Sequence, residues 1–315
     1  MAKLANSFAT QNAVGDREEQ ADKIYDISPE ESPFLSSIKR GKVSSVFPEW
    51  QTDILASAAN NKVVQGNEAT INATVPTVRV GNRTQISEKT FAVTGTQEVV
   101  DKAGRKSEVA YQAARRMLEL KRDQEFAALQ NTTAIAAADA TAPQARGVAG
   151  WIATNNSLGA TGVAPDPITN TAPTDGTLRD LTEDLLKDVA QQVWEAGGNP
   201  TKLLVPAALR ATVSGFTGIA ETMNDVKSKA ATIVGSADIY VGDFGTYAIV
   251  NSRYNRARDI FLIDPQYWEL GTLRPMTIKT LAVTGDNEKR LINCEWTLKA
   301  LNEAASGAIR DVEAP

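Results

Sequence analysis

From Leu291 the faces of the chain alternate through to Ala300. Ile292, Cys294, Trp296, Leu298 and Ala300 fall on one side, and Asn293, Glu295, Thr297 and Lys299 on the other. A period of two is the pattern of a strand with one buried and one wet face. The run is about twice the usual strand length of 5–6 residues. Ile278–Val283 forms a second apolar strand before it, and Thr284-Gly285-Asp286-Asn287 is turn chemistry between the two. A hairpin with one arm this long, placed late in a chain, ties distant parts of a fold together.

The chain has 315 residues. Single cores stop growing near ~250–300 residues, so two subdomains are expected. Histidine is absent and Cys294 is the one cysteine. That excludes His-based triads, His-based metal sites and disulfides within the chain. Cys294 lies on the apolar side of its strand with no activating base nearby in sequence, which reads as a small buried hydrophobe. Net charge is −5, from 33 basic and 38 acidic residues, with no Lys/Arg run, so direct nucleic-acid binding is not indicated. No apolar run approaches the ~18 residues of a membrane helix, and the first twenty or so residues lack the apolar core of a signal peptide.

Residues 1–33 are polar and read as an arm, partly helical around Glu18–Ile24, that orders against a neighbour. Ser28-Pro29 and Ser32-Pro33 break any helix there. Val43–Leu55 and Val75–Val93 are strand-like and enclose a polar, Gly-containing stretch, Asn60–Ala73. Val78 and Val80 fall on one face and Arg79 on the other. Two strands around a polar tip make a long hairpin, which is marginally stable alone and needs a surface to lie on.

Ser107–Leu129 is the clearest helix, with Ser107 as its cap. Val109, Ala113, Met117 and Leu120 recur at helical spacing, widened by Ala110, Ala114 and Leu118. Arg115–Glu119 and Lys121–Glu125 are opposite-charge pairs on its wet face. Asn131–Thr174, rich in Ala, Thr, Gly and Pro, is expected to link the subdomains, with Arg146–Ile152 as a short strand within it. Thr177–Ala196 reads as an amphipathic helix with Leu178, Leu181, Leu185, Val189 and Val193 on one face, stopped by Gly197-Gly198-Asn199-Pro200. Lys202–Val205 is a buried strand, and Pro206 opens a short helix through Thr212. Gly215–Thr232 is a polar loop. Asp238–Val241 and Thr246–Ser252 form a hairpin, and Ile260–Ile263 and Tyr267–Leu270 complete a sheet.

Several short motifs add up in order along the chain. They are Asp26-Ile27-Ser28-Pro29-Glu30-Glu31-Ser32-Pro33-Phe34, Glu49-Trp50-Gln51, Asn82-Arg83-Thr84-Gln85-Ile86, Val93-Thr94-Gly95-Thr96 and Glu119–Glu125. At the C-terminal end stand Leu273-Arg274-Pro275, Leu281-Ala282, Thr284-Gly285-Asp286, Glu295-Trp296-Thr297-Leu298 and Asn302-Glu303-Ala304-Ala305. Together they resemble the major capsid proteins of tailed bacteriophages, with the Hong Kong 97-like coat fold. The resemblance implies an α+β chain divided into an N-terminal arm (1–42), an extended β-hairpin loop (43–94), a peripheral domain with a long spine helix and linker (95–174), an axial domain (175–272) and the return strands of the peripheral domain (273–315).

It further implies a homo-oligomer of hexamers and pentamers that closes an icosahedral shell around double-stranded DNA, without sequence-specific binding and without a membrane. The place implied is the virion, with assembly in the host bacterial cytoplasm. An inner wall that held phosphates strongly would hold the genome fast, so the acidic balance suits a shell. The body motif begins only about thirty residues into the chain, so any scaffolding protein is expected to be separate, alongside portal and decoration proteins. No catalytic residue, cofactor or metal is implied. Trp50, Lys62, Glu68, Val78, Val80 and Arg83 are the expected inter-subunit contacts. The wider fold includes members with a Lys–Asn isopeptide cross-link. Lys62 in the tip and Asn287, Asn293 and Asn302 are the residue types it would need, but the subgroup resembled is not defined by such a bond.

Other readings of the residues are weaker. An encapsulin-type nanocompartment shares the fold but encloses protein cargo. A carboxylate-based metal-dependent enzyme would use Asp180, Asp184 and Asp188 with Glu183, a set that reads more simply as the solvated side of a helix. An adhesin-like module would need a secretion signal. Asp243-Phe244-Gly245 matches a kinase tripeptide without the other kinase motifs and reads as a turn.

Overall fold

The computed structural model describes residues 31–68, 71, 73–102, 104–216 and 239–315. The expected helix at Glu18–Ile24 and nearly all of the polar loop Gly215–Thr232 lie outside them.

Two sheets meet in one buried cluster, and a second cluster lies on the other face of the second sheet. The first sheet runs in the order Lys39–Lys42, Trp268–Thr280, Asn287–Ala300 and Gln85–Thr94. The alternating stretch is its central strand, fourteen residues from Asn287 to Ala300, antiparallel to both long neighbours. Its apolar face is buried as expected: Ile292, Cys294, Trp296, Leu298 and Ala300 are each at most 3% exposed. The opposite face departs from the expectation, because Glu295 and Thr297 are buried too. Residues 82–84 and Arg274 cover them. Glu295 accepts hydrogen bonds from Thr84 Oγ1 at 2.7 Å and Arg274 Nε at 2.8 Å, and Thr297 Oγ1 donates to the Arg83 carbonyl at 2.8 Å.

The expected strands Tyr267–Leu270 and Ile278–Val283 are one strand, Trp268–Thr280, which ends before Leu281. Its register against the central strand shifts between Thr272 and Arg274 and again between Arg274 and Thr277. Pro275 sits in that interval and has no N–H to give the ladder, which accounts for the irregularity. Gly285, at φ 85°, closes the turn.

The spine helix spans Glu108–Gln130, roughly 35 Å. Ser107 Oγ accepts the Ala110 N–H at 3.1 Å, and Glu98 takes the amides of Glu108 and Val109. The expected apolar stripe is buried only late: Leu120, Ala127, Ala128 and Leu129 enter the core, Val109, Ala113 and Met117 are half-buried, and Ala110, Ala114 and Leu118 are exposed. Arg115 pairs with Glu119 at 3.5 Å. Glu125 does not pair with Lys121 on a wet face; it is fully buried.

Arg146–Ile152 is not a strand. Val148–Trp151 is a helical turn in the middle of the core, with Val148, Ala149, Trp151 and Ile152 at most 1% exposed. Backbone proximity sets it there: a Cβ on Gly150 would stand 2.0 Å from the Thr132 carbonyl oxygen, and one on Gly147 2.5 Å from that of Ala128. The rest of 131–174 folds back on itself through the bridges Ile135↔Gln144 and Val163↔Thr174.

The second sheet runs Asn156–Ser157, Gly307–Ile309, Ile260–Ile263, Lys202–Pro206, Gly245–Ser252, Ile239–Gly242. The helix packed on it is Glu183–Glu195, six residues shorter at its start than the sequence suggested. Arg179–Asp180 instead pairs in parallel with Val312–Glu313, so sheet pairing claims the segment first. Leu186, Val189, Ala190 and Val193 face the core, whereas Leu178 is 43% exposed. Gly307 lets the Val189 and Val193 methyls come within 2.4 and 2.9 Å of where a Cβ would stand. Trp268, Trp296 and Phe34 from one side and Leu204, Phe261 and Ala308 from the other belong to the same buried cluster. Among the described residues no helix is long and apolar enough to cross a membrane.

Candidate assembly surface

Glu49–Thr52 and Val78–Gly81 pair antiparallel, from Glu49↔Gly81 to Thr52↔Val78. The Arg79 guanidinium holds Glu49 through two bonds, Nε to Oε1 at 2.7 Å and Nη2 to Oε2 at 2.5 Å. The root of this hairpin is clamped to the body. Trp50 Nε1 donates to the Ala300 carbonyl at 2.9 Å, and its ring centroid lies 5.5 Å from that of Trp151. Asn82 is fully buried and makes four bonds: Nδ2 donates to the carbonyls of Arg146 at 3.0 Å and Leu298 at 2.6 Å, while Oδ1 accepts the amides of Arg146 at 2.8 Å and Arg83 at 2.9 Å.

Past this root the chain leaves the body. Among the described residues of 53–77 there is no helix or strand. Ile54, Leu55, Val63, Val64 and Val75 lie between 72 and 92% exposed, and Ile71 is 98% exposed. Single exposed apolar residues are ordinary, but several on one projecting segment mark an interaction surface.

The residues singled out in the sequence divide between the two regions. Lys62 and Glu68 are exposed on the projecting loop, and Val78 is exposed at 45%. Trp50 and Val80 pack against the chain's own core, and the Arg83 guanidinium lies over the Phe47 ring at 4.4 Å. Asn287, Asn293 and Asn302 are all in local hydrogen bonds, to the Thr284 carbonyl, from Thr277 Oγ1 and from the Ala304 amide.

The junction of the N-terminal segment with the body is a buried latch that sequence reasoning missed. Pro33–Ser37 is one helical turn with Phe34 and Leu35 buried. The Glu125 carboxylate accepts the Phe34 and Leu35 amides, one on each oxygen, both at 2.8 Å. Burial pushes the Glu125 carboxyl above the usual range, and the two amide bonds oppose that shift without cancelling it. Its spacing from Lys121 pointed to a surface pair; its 90-residue separation from Leu35 gave no signal.

A second cluster fastens the C-terminal segment. Arg258 Nη2 meets Asp311 at 2.7 Å, Arg256 Nη2 meets Asp175 at 2.6 Å, and Arg256 Nη1 lies 3.2 Å from the buried Asp259. Asp311 has φ 59°, and its Oδ2 accepts the Gly159 amide at 3.1 Å. The Arg256 bond holds the Asp175 carboxyl below its usual range, whereas burial raises that of Asp259 despite nearby Arg310 and Arg256.

The carboxylates considered for metal chemistry do not converge. Asp180 is on a strand; Asp184 and Asp188 are exposed on the helix; Glu183 pairs with Lys187 at 3.0 Å and accepts from Tyr240 at 2.9 Å. Among the described residues no group of three or more His, Cys, Asp or Glu is placed to hold a metal ion. Asp243 and Phe244 form the turn between two antiparallel strands. Cys294 is buried and its thiol is pushed up to about 11 by burial.

The sequence matches the family described as SU10 major capsid protein over residues 5–313. The major capsid protein of Escherichia phage Phieco32 is 34% identical over 119 residues, 38% of this chain and 34% of that protein's length. The match thus spans about a third of the curated relative. Among solved structures, the Cyanophage A-1(L) capsid asymmetric unit superposes with a TM-score of 0.63 at 12% identity, covering 96% of this chain and 98% of that one. The capsid of Cyanophage P-SCSP1u gives 0.62 at 12% identity, covering 99% of each chain. At that identity the likeness establishes the fold, which is the Hong Kong 97-like phage capsid fold.

Proposed function

The chain belongs to the SU10 major capsid protein family, and from that membership we propose that its copies assemble into hexamers and pentamers closing an icosahedral shell around double-stranded DNA. One observation carries the mechanism: a projecting hairpin whose root is locked into its own body while its far half bears exposed apolar side chains. A rigid root keeps the loop at a fixed angle. An exposed apolar far half gives it something to bury on another subunit. The reading that fits is an arm laid on the adjacent copy, in head-to-tail contacts that close into rings.

The same reading divides the chain into the arm (1–42), loop (43–94), peripheral domain (95–174 and 273–315) and axial domain (175–272). In this reading the exposed Lys62, Glu68 and Val78 meet a neighbour, while Trp50 and Val80 act by holding the root. The role is structural, carried in the virion after assembly in the host cytoplasm, with scaffold, portal and decoration proteins as separate partners. Deleting 60–73 should leave a subunit that folds, with unchanged circular dichroism, yet fails to give stable shells. Normal particles from that deletion would refute the role of the loop.

A further inference from the structure

A cavity of about 320 Å³ opens between the N-terminal turn, the spine helix and the first sheet. Leu35, Leu270, Met276 and Trp296 contribute its apolar wall, and Arg40 and Lys121 also line it. Both cations are solvent-exposed, and no ion pair is formed by either among the described residues. The volume is at the small end of the ~300–1,000 Å³ of small-molecule sites and leaves ample room for an apolar side chain.

The tip of the projecting hairpin has that chemistry. The Asn67 amide donates to the Val64 carbonyl at 3.1 Å, and Gly66 has φ 84°, as the third position of a type II turn requires. Val63, 72% exposed, and the exposed Glu68 immediately flank this turn. An apolar knob and a carboxylate therefore flank one tight turn.

We propose that the hairpin tip of a second copy seats Val63 in this cavity and sets Glu68 against Arg40 and Lys121. The proposal rests on the loop-on-neighbour reading above and names its receiving site. Charge complementarity selects this occupant and fixes its register more than it adds affinity.

The test is cross-linking in assembled particles on a Cys294→Ala background. Val63→Cys combined with Met276→Cys should give a ladder of disulfide-linked multimers on non-reducing gels, absent from either single variant. Particles without a ladder overturn the proposal, as does an intrachain disulfide from Ile27→Cys with Met276→Cys, a monomer band of shifted mobility on non-reducing gels, which would assign the cavity to the chain's own N-terminal segment. If the double variant does not assemble, charge reversal decides. Glu68→Lys should lower particle yield about tenfold, and adding Arg40→Glu and Lys121→Glu should restore it; no restoration overturns the proposal. The two readings fail separately: normal particles from the 60–73 deletion sink the loop's role, whereas loss of particles with no link to Met276 sinks only this docking site.

Discussion

Asn82 is the residue whose removal should best expose how the hairpin is held. It joins three segments far apart in sequence: the hairpin root, the buried turn at 146–151 and the central strand. Asn82→Ala leaves the Arg146 amide buried without an acceptor, at ~1–3 kcal/mol, and removes three further bonds of ~0.5–1.5 kcal/mol each. Some relaxation is expected, so the loss should be about 3–5 kcal/mol. With an unfolding entropy near ~2.1 cal/mol/K per residue, that is a fall in Tm of about 4–8 °C for a chain of this length. Asn82→Asp is no rescue, because it faces two carbonyl oxygens with a buried charge. Differential scanning calorimetry on unassembled subunits reads the shift. Limited proteolysis reads its cause, with faster cleavage within 53–77 as the root loosens. A Tm within about 1 °C of wild type, or unchanged cleavage of the loop, would refute the clamp argument.

Other outcomes follow from buried groups. Glu125 has a carboxyl pKa raised by burial, so its contribution to stability is full at low pH and is lost as pH rises through the raised value. Glu125→Gln should therefore gain on wild type in urea melts from pH 4 to pH 7, and a variant that falls further behind as pH rises would show the two amide bonds to dominate. Cys294, with a thiol near 11, should resist maleimide at pH 8 in the folded subunit and react once unfolded; rapid labelling of folded protein contradicts its placement. Gly150→Ala should destabilise by at least about 3 kcal/mol, since its Cβ would meet a backbone carbonyl that side-chain motion cannot clear. A soluble variant with wild-type Tm would contradict the packing of the 148–151 turn.

Periodic signals were legible in the chain, and signals that depend on distant partners were not. The alternation from Leu291 to Ala300 set the central strand, because one face of that strand meets the core directly. The same alternation hid the burial of Glu295 and Thr297, since Thr84 and Arg83, more than 200 residues away, cover them. The spine helix and its Ser107 cap were readable from local capping chemistry. Glu125 was misplaced because i,i+4 spacing describes an isolated helix, and a buried helical turn captured the carboxylate instead. Val148–Trp151 looked like a strand in a linker because its glycines and small residues carry no period; their role is close approach of backbones. The hairpin's polar tip was visible in composition, while the clamp at its root needed Ala300, Arg146 and Leu298.

The central claim is that this chain builds a shell through its projecting loop. Electron microscopy of the purified chain, fractionated by size exclusion with and without a phage scaffold protein, tests it most directly. Closed shells or capsomer-sized rings, with density for 53–77 lying on the neighbouring subunit, are the predicted result. A monomer in both conditions, or shells in which that loop points into solvent, would contradict it.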